Sequence, residues 1–169
     1  MAKNEKVGLM MSSLSCAPYV PSPYEVMRKM LQVALVGPDD VVYDLGCGHG
    51  RVLVMAVKEF GAKKAVGYEL REDLYESTLR EINRQNLRER INLINGDLFK
   101  ADISEATVIT LYLTVSGNER LKTKLAKEAR PGTRVVSHDF SMNGWRASKI
   151  ETAGYLGNIY LYVIPEAFC

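Results

Sequence analysis

Apolar residues at Met27, Met30, Leu31, Ala34 and Leu35 repeat at i, i+3, i+4, i+7 and i+8, which predicts one apolar stripe along a helix. Ser22 is placed to cap that helix, Pro23 to begin it and Gly37-Pro38 to end it. The compact run Val41–Leu45 then predicts a strand. Val52, Leu53, Ala56, Val57 and Phe60 return to helical spacing, closed by Gly61. The alternation continues with a strand at Ala65–Leu70, a helix from Asp73 to Asn86 and a strand at Ile91–Ile94, stopped by Asn95-Gly96. Thr107–Leu113 is almost continuously apolar, as a central strand buried on both faces should be. Ser116-Gly117-Asn118 opens a helix that runs to about Ala129, Pro131-Gly132 ends it, and Arg134–Ser137 is the next strand.

The pattern changes after His138. No long helical period follows, and Lys149–Ala153 and Ile159–Ile164 read as two strands joined across 154–158. Repeated β-α units closed by a β-β pair predict an α/β fold with a Rossmann-like, seven-stranded sheet. The sheet should be parallel through right-handed crossovers, with one antiparallel strand near the C-terminus, inside the sheet or at its edge.

Composition narrows this only slightly. The 169 residues suffice for one domain with a real core. Residues 1–18 read as a flexible N-terminal extension and 19–169 as a single domain. The apolar patch Val7–Met11 is too short for a signal-peptide core, and no apolar run is long enough to predict a membrane span. A net charge of +2 without a clustered basic face disfavours a nucleic-acid binder. Cys16, Cys47 and Cys169 make no disulfide framework, and the odd count points to a reducing, cytoplasmic compartment.

The richest chemistry lies at Asp44-Leu45-Gly46-Cys47-Gly48-His49-Gly50-Arg51. A strand that ends in an acid, a glycine turn and a helix start together form a ligand cradle. A dinucleotide fingerprint, G-x-G-x-x-G, would need glycine where Arg51 stands, and that side chain is expected to obstruct close helix–strand packing. A phosphate loop is excluded because no Gly-Lys-Ser/Thr follows. The remaining pattern, D-x-G-x-G-x-G, is the first motif of Rossmann-like class I methyltransferases and points to S-adenosylmethionine. Gly46, Gly48 and Gly50 would let backbone approach the ligand. The helix start would receive a carboxylate, and Asp44 an ammonium.

Ligands of open α/β sheets bind at the carboxyl ends of the strands. Glu69 ends the second strand, where an acid can accept from both ribose hydroxyls. Asp97 follows the third, placed either to accept from an adenine amino group with Leu98 or Phe99 against the ring, or simply to cap a turn. The fourth strand ends Leu111-Tyr112-Leu113-Thr114 rather than Asn/Asp-Pro-Pro-Tyr, which weakens an acceptor that is a nucleobase amine. Tyr112 is a candidate for the acceptor channel or for rim packing. Ser137, His138 and Asp139 are consecutive, so alternating faces forbid a triad among them, and His138 is left as a packing or substrate-contacting residue. Cys47 reads as a small cofactor-side packing residue and His49 as a solvent-side spacer, and no Cys/His spacing supports a metal site.

Four segments together resemble one family: Tyr19-Val20-Pro21-Ser22-Pro23, Tyr43–Arg51, Asp102–Val108 and Pro131–Phe140. It is that of the archaeal broad-specificity protein lysine methyltransferases, related to the mitochondrial lysine methyltransferases of ATP synthase subunit c and of the adenine nucleotide translocase. The resemblance implies S-adenosylmethionine as cofactor and a protein lysine ε-amine as acceptor. It implies that Tyr19 folds over the cofactor to orient the amine beside Tyr112, with Pro21, Pro23 and His138 on the substrate side. It also implies a cytoplasmic, monomeric protein that binds neither membrane nor nucleic acid. The alternatives on the same scaffold are an RNA or small-molecule methyltransferase and a cofactor-binding module without catalysis.

Overall fold

The computed structural model describes residues 22–168. Tyr19, Pro21 and the boundary expected after residue 18 lie outside them. Four helices and seven strands follow in the order α1 (Tyr24–Val33), β1 (Val41–Leu45), α2 (Arg51–Lys58), β2 (Lys64–Glu69), α3 (Glu72–Arg84), β3 (Ile91–Asn95), β4 (Val108–Leu111), α4 (Val115–Glu128), β5 (Arg134–His138), β6 (Lys149–Thr152) and β7 (Asn158–Val163). The strands form one sheet in the order β3-β2-β1-β4-β5-β7-β6. β1 to β5 are parallel, whereas β7 runs antiparallel to both β5 and β6. The antiparallel strand is therefore inserted inside the sheet, and β6 forms the edge.

Side-chain alternation along the strands feeds two layers. On one face, Val42, Val108, Val136 and Ile159 pack under α1 and α2, while Ala65, Ile91 and Leu93 pack under α2 and α3. On the other, Tyr43, Ile109, Leu111, Val135 and Tyr162 pack against Leu121 and Leu125 of α4. Strand order reverses between β1 and β4, because β2 lies on one side of β1 and β4 on the other. That reversal opens a crevice at the carboxyl ends of the strands.

Three local readings are corrected. Ser22 does not cap α1: Pro23 is the N-cap, no side chain caps the end, and the Val26 and Met27 N–H groups donate to the Pro23 carbonyl at 3.1 and 3.2 Å. The helix also closes at Val33, before Gly37-Pro38. Leu35 takes a left-handed φ of +53° and is 79% exposed instead of continuing the apolar stripe. The closure is a Schellman motif: Val36 N–H donates to Leu31 O at 3.1 Å and Leu35 N–H to Gln32 O at 3.0 Å. Finally, α4 starts at Val115 rather than at Ser116, because the Thr114 hydroxyl accepts from Gly117 N–H at 3.2 Å. β4 ends at Leu111, so Tyr112 and Leu113 lie in the short connection to α4 rather than in the strand.

The edge opposite the crevice is closed by a polar cluster. Buried Asp40 accepts from the Thr107 hydroxyl at 2.7 Å and from Gly37 N–H at 2.9 Å, and also pairs with Arg134. The Arg134 guanidinium donates to Ala34 O as well, at 2.5 Å, so it ties the end of α1 to β1 and β5. In the segment Pro131–Phe140, Arg134 is thus architecture, and only the far end reaches the crevice.

Candidate active site

The glycine loop leaves β1 with Gly46, Gly48 and Gly50 all at positive φ, +90°, +53° and +66°. A β-carbon is disfavoured in that region, which explains the residue type at every second position. At Gly50 an added Cβ would also lie 2.5 Å from Thr78 Cγ2 of α3. At Gly46 the Cβ would meet only Leu98 and Leu113, at 3.7 and 3.8 Å, so these two apolar residues floor the exposed side of the loop.

Three anchors hold the loop from outside it. The Gly46 and Cys47 N–H groups donate to Tyr68 O at 2.9 and 3.0 Å. Gly48 N–H donates to Glu69 Oε2 at 2.9 Å, and Glu69 Oε1 accepts from Arg71 N–H at 2.8 Å. The Thr78 hydroxyl, 2% exposed, donates to Gly48 O at 2.8 Å. Glu69 therefore has a structural duty besides the ligand contact expected of it. Thr78 falls at the buried Leu74, Thr78, Ile82 spacing of α3, where a hydroxyl among apolar neighbours signals a buried partner.

Asp44 is buried beneath the loop, and Thr110 of β4 donates to its Oδ1 at 2.8 Å. Loss of hydration pushes its carboxyl up to about 7; the Thr110 bond opposes this and the nearby Glu69 charge reinforces it. Cys47 is buried too, and burial followed by the Asp44 and Glu69 charges drives its thiol well above the usual range. It stays a thiol and packs with Leu53 and Val57.

Arg51 does not obstruct the helix–strand contact. Its guanidinium turns away to lie 5.3 Å from the centroid of the Tyr24 ring at the start of α1, beside exposed Pro23. Close approach is provided instead from the sheet side by Gly67, where a Cβ would lie 2.5 Å from Leu53 Cδ1 and 2.7 Å from Cys47 Sγ. The dinucleotide fold's third glycine thus has its counterpart on a different strand, outside the reach of a local motif.

Asp97 is half-buried past β3, and its Oδ1 accepts from Phe99 N–H at 2.9 Å to start the 3-10 turn Leu98–Lys100. Capping and ligand contact need not compete, since Oδ2 makes no hydrogen bond among the described residues. Leu98 is buried against the loop, and the Arg120 guanidinium of α4 lies 3.8 Å from the centroid of the Phe99 ring. Tyr112 and His138, from the ends of β4 and β5, come together with ring centroids 4.5 Å apart. Ser137 faces the other way, toward Asn118 of α4. Among the described residues no cluster of three His, Cys, Asp or Glu side chains could hold a metal, and no helix is long and apolar enough to cross a membrane.

A β3-β2-β1-β4-β5-β7-β6 sheet with an acid-tipped glycine loop at its switch point defines a Rossmann-like methyltransferase. The model of the ANTKMT methyltransferase domain matches residues 44–149, and the chain belongs to that family. It is 46% identical over 159 residues to a protein-lysine N-methyltransferase of Saccharolobus islandicus (strain REY15A), covering 92% of this chain and 99% of that one. It is 30% identical to the adenine nucleotide translocase lysine N-methyltransferase of Mus musculus, covering 76% of this chain and 56% of that longer protein. Among solved structures, an RNA methyltransferase from Salinibacter ruber in complex with S-adenosyl-L-homocysteine superposes with a TM-score of 0.82 at 41% identity, covering 87% of this chain and 95% of that one. The protein is an enzyme of the methyltransferase class.

Proposed function

We propose that this chain binds S-adenosylmethionine over the carboxyl ends of β1, β2 and β3 and methylates lysine ε-amines of proteins. The observation that carries this reading is its near-full-length kinship with a protein-lysine N-methyltransferase. Gly46, Gly48 and Gly50 would admit the ligand's amino-acid end, with the free N–H groups at the start of α2 toward its carboxylate. Asp44 would face the ammonium, Glu69 the ribose hydroxyls and Asp97 the adenine amino group, with Cys47 and Leu98 as apolar walls. Both Glu69 oxygens keep a second lone pair beyond the backbone bonds they already accept.

When bound, S-adenosylmethionine supplies a methyl on positively charged sulfur, open to in-line attack by a neutral amine. The protein's task is to deliver that amine, align it and keep water out. Freeing lysine of its proton at pH 7 costs about 4–5 kcal/mol from its ordinary pKa of about 10.4. Partial burial at the crevice and a nearby positive charge both lower that cost. Tyr112 and His138 form the acceptor wall on this reading. Tyr19 would orient the amine, and Pro21 and Pro23 would border the substrate. The protein would act as a cytoplasmic monomer.

A second reading, an RNA methyltransferase, draws on the name of the Salinibacter ruber relative. One experiment separates the two. The protein is incubated with lysate and radiolabelled S-adenosylmethionine, the product is split into protease- and nuclease-treated halves, and the label is followed. Label lost to protease, with mass spectrometry placing it on lysine, is the expected result. Label lost only to nuclease overturns the lysine reading, and no transfer to any fraction would leave a binding module.

A further inference from the structure

We infer that Nδ1 of His138 is the hydrogen-bond acceptor that holds the substrate amine at the end of β5, an assignment that rests on the lysine reading above. His138 is 3% exposed, and its Nε2 lies 2.7 Å from the Leu156 carbonyl. A carbonyl only accepts, so Nε2 carries the proton. In the neutral ring this leaves Nδ1 with a bare lone pair, and Nδ1 is buried without a partner among the described residues. Leaving a buried acceptor unpaired is costly, so such an atom calls for a ligand or a reason.

The ring is built to stay where it is. Its backbone is paired with Ile159 of β7, and beyond it the chain turns sharply at Asp139, whose φ is +67°. Asp139 N–H donates to Asn158 O at 2.7 Å and Phe140 N–H to His138 O at 2.8 Å, which locks that turn. The ring lies against Tyr112, with centroids 4.5 Å apart and planes tilted by 38°. Tyr112 follows β4, and β4 is the neighbour of β1, which carries the glycine loop. The lone pair therefore belongs to the acceptor side of the crevice, one strand beyond β4.

The other buried side-chain atom without a partner among the described residues is also an acceptor, Asn118 Oδ1. Its amide nitrogen braces Ser137 Oγ at 3.3 Å and Phe140 O at 3.0 Å from the opposite face. On the face that His138 presents, the one buried side-chain atom left unpaired among the described residues is thus an acceptor, Nδ1. An amine, which brings N–H groups, is the complementary ligand. With one N–H held by Nδ1, the nitrogen lone pair loses rotational freedom and can be aimed.

The chain has two histidines, which makes a direct test practical. Histidine-15N-labelled wild-type protein saturated with S-adenosylhomocysteine is titrated with a lysine peptide that the protein methylates, and with the same peptide carrying norleucine. The His138 Nδ1 resonance should shift with the lysine peptide alone, while the protonated Nε2 resonance stays. The isosteres supply a second readout. In His138→Gln the amide can still donate to Leu156 O but presents no acceptor at the Nδ1 position. The preference for lysine over norleucine peptide should fall roughly 10- to 100-fold, with unchanged cofactor affinity and melting temperature. His138→Asn places a carbonyl near Nδ1 and should retain most of that preference. An unmoved Nδ1 resonance, or a full preference in His138→Gln, overturns the assignment while lysine methylation by the wild type still stands. Label transfer to RNA in place of lysine overturns the parent reading instead.

Discussion

Glu69 Oε2 accepts a hydrogen bond from the Gly48 N–H at 2.9 Å, across 21 residues of sequence. The carboxylate at the end of β2 therefore shapes the loop at the end of β1 before any ligand arrives. Glu69→Ala should lower the stability of the ligand-free protein by about 1–3 kcal/mol, because it strips an acceptor from buried Gly48 N–H. Glu69→Gln, which keeps one acceptor oxygen, should recover part of that loss yet still bind cofactor weakly. Thermal melts without ligand, set beside calorimetric cofactor titration, distinguish the two duties. Equal melts for wild type and Glu69→Ala would remove the structural one.

Asp44 predicts a pH dependence. Its carboxyl is raised to about 7 in the folded protein, against an ordinary value of 3.8. The folded state then binds the proton more tightly than the unfolded chain. The associated stability is complete below the unfolded value and is lost as pH rises through the folded one. Ligand-free wild type should lose roughly 4 kcal/mol from this group across that window. Asp44→Asn should flatten the slope in denaturant melts taken from pH 4 to pH 8. A cationic ligand group beside Asp44 favours the ionised form, so cofactor binding at pH 6 should release a proton. Calorimetry in buffers of different ionisation heat reads that release directly.

Gly50→Ala combines a left-handed φ of +66° with a Cβ 2.5 Å from Thr78 Cγ2. The expected cost is about 2–4 kcal/mol, part from the backbone and part from overpacking. Thr78→Ser removes the offending methyl but keeps the hydroxyl that donates to Gly48 O. The double variant should therefore be more stable than additivity predicts, while the φ strain persists. A double-mutant cycle by urea denaturation measures the coupling, and strict additivity would refute the steric account.

Arg134→Met tests whether the segment Pro131–Phe140 is functional along its whole length. The change removes the partner of buried Asp40 and the tie to Ala34 O. Stability should drop by about 3–5 kcal/mol, because Asp40 is left buried with its charge uncompensated. At temperatures where the variant remains folded, KM and kcat should stay close to wild type. A selective fall in kcat would mean that this edge communicates with the crevice.

Much of this was legible along the chain. Period-two and period-3.6 patterns place each strand and helix to within a few residues, from Val41–Leu45 to the final β-β pair. The D-x-G-x-G-x-G spacing is itself a conformational statement, since positive φ at alternate positions selects glycine whatever the rest of the fold does. Helix ends were less legible. Leu35 looks apolar and in phase, yet it closes a Schellman turn in the solvent, because the hydrogen bonds of Val36 and Leu35 to the last turn outweigh its side-chain preference.

By itself, then, the sequence determined the order and type of elements, the place of the glycine loop and the acids at the strand ends, all set by local periodicity and backbone sterics. The tertiary structure alone decided what holds that loop: Glu69 on Gly48, Thr78 on Gly48, Thr110 on Asp44, and Gly67 opening room for Leu53 and Cys47. It also decided that β7 enters between β5 and β6 and that His138 meets Tyr112 with one ring nitrogen unpartnered among the described residues. The physical reason is range. A turn or a helix is specified by neighbours in the chain, whereas a buried hydrogen bond needs a partner brought in by sheet register from 21 to 66 residues away.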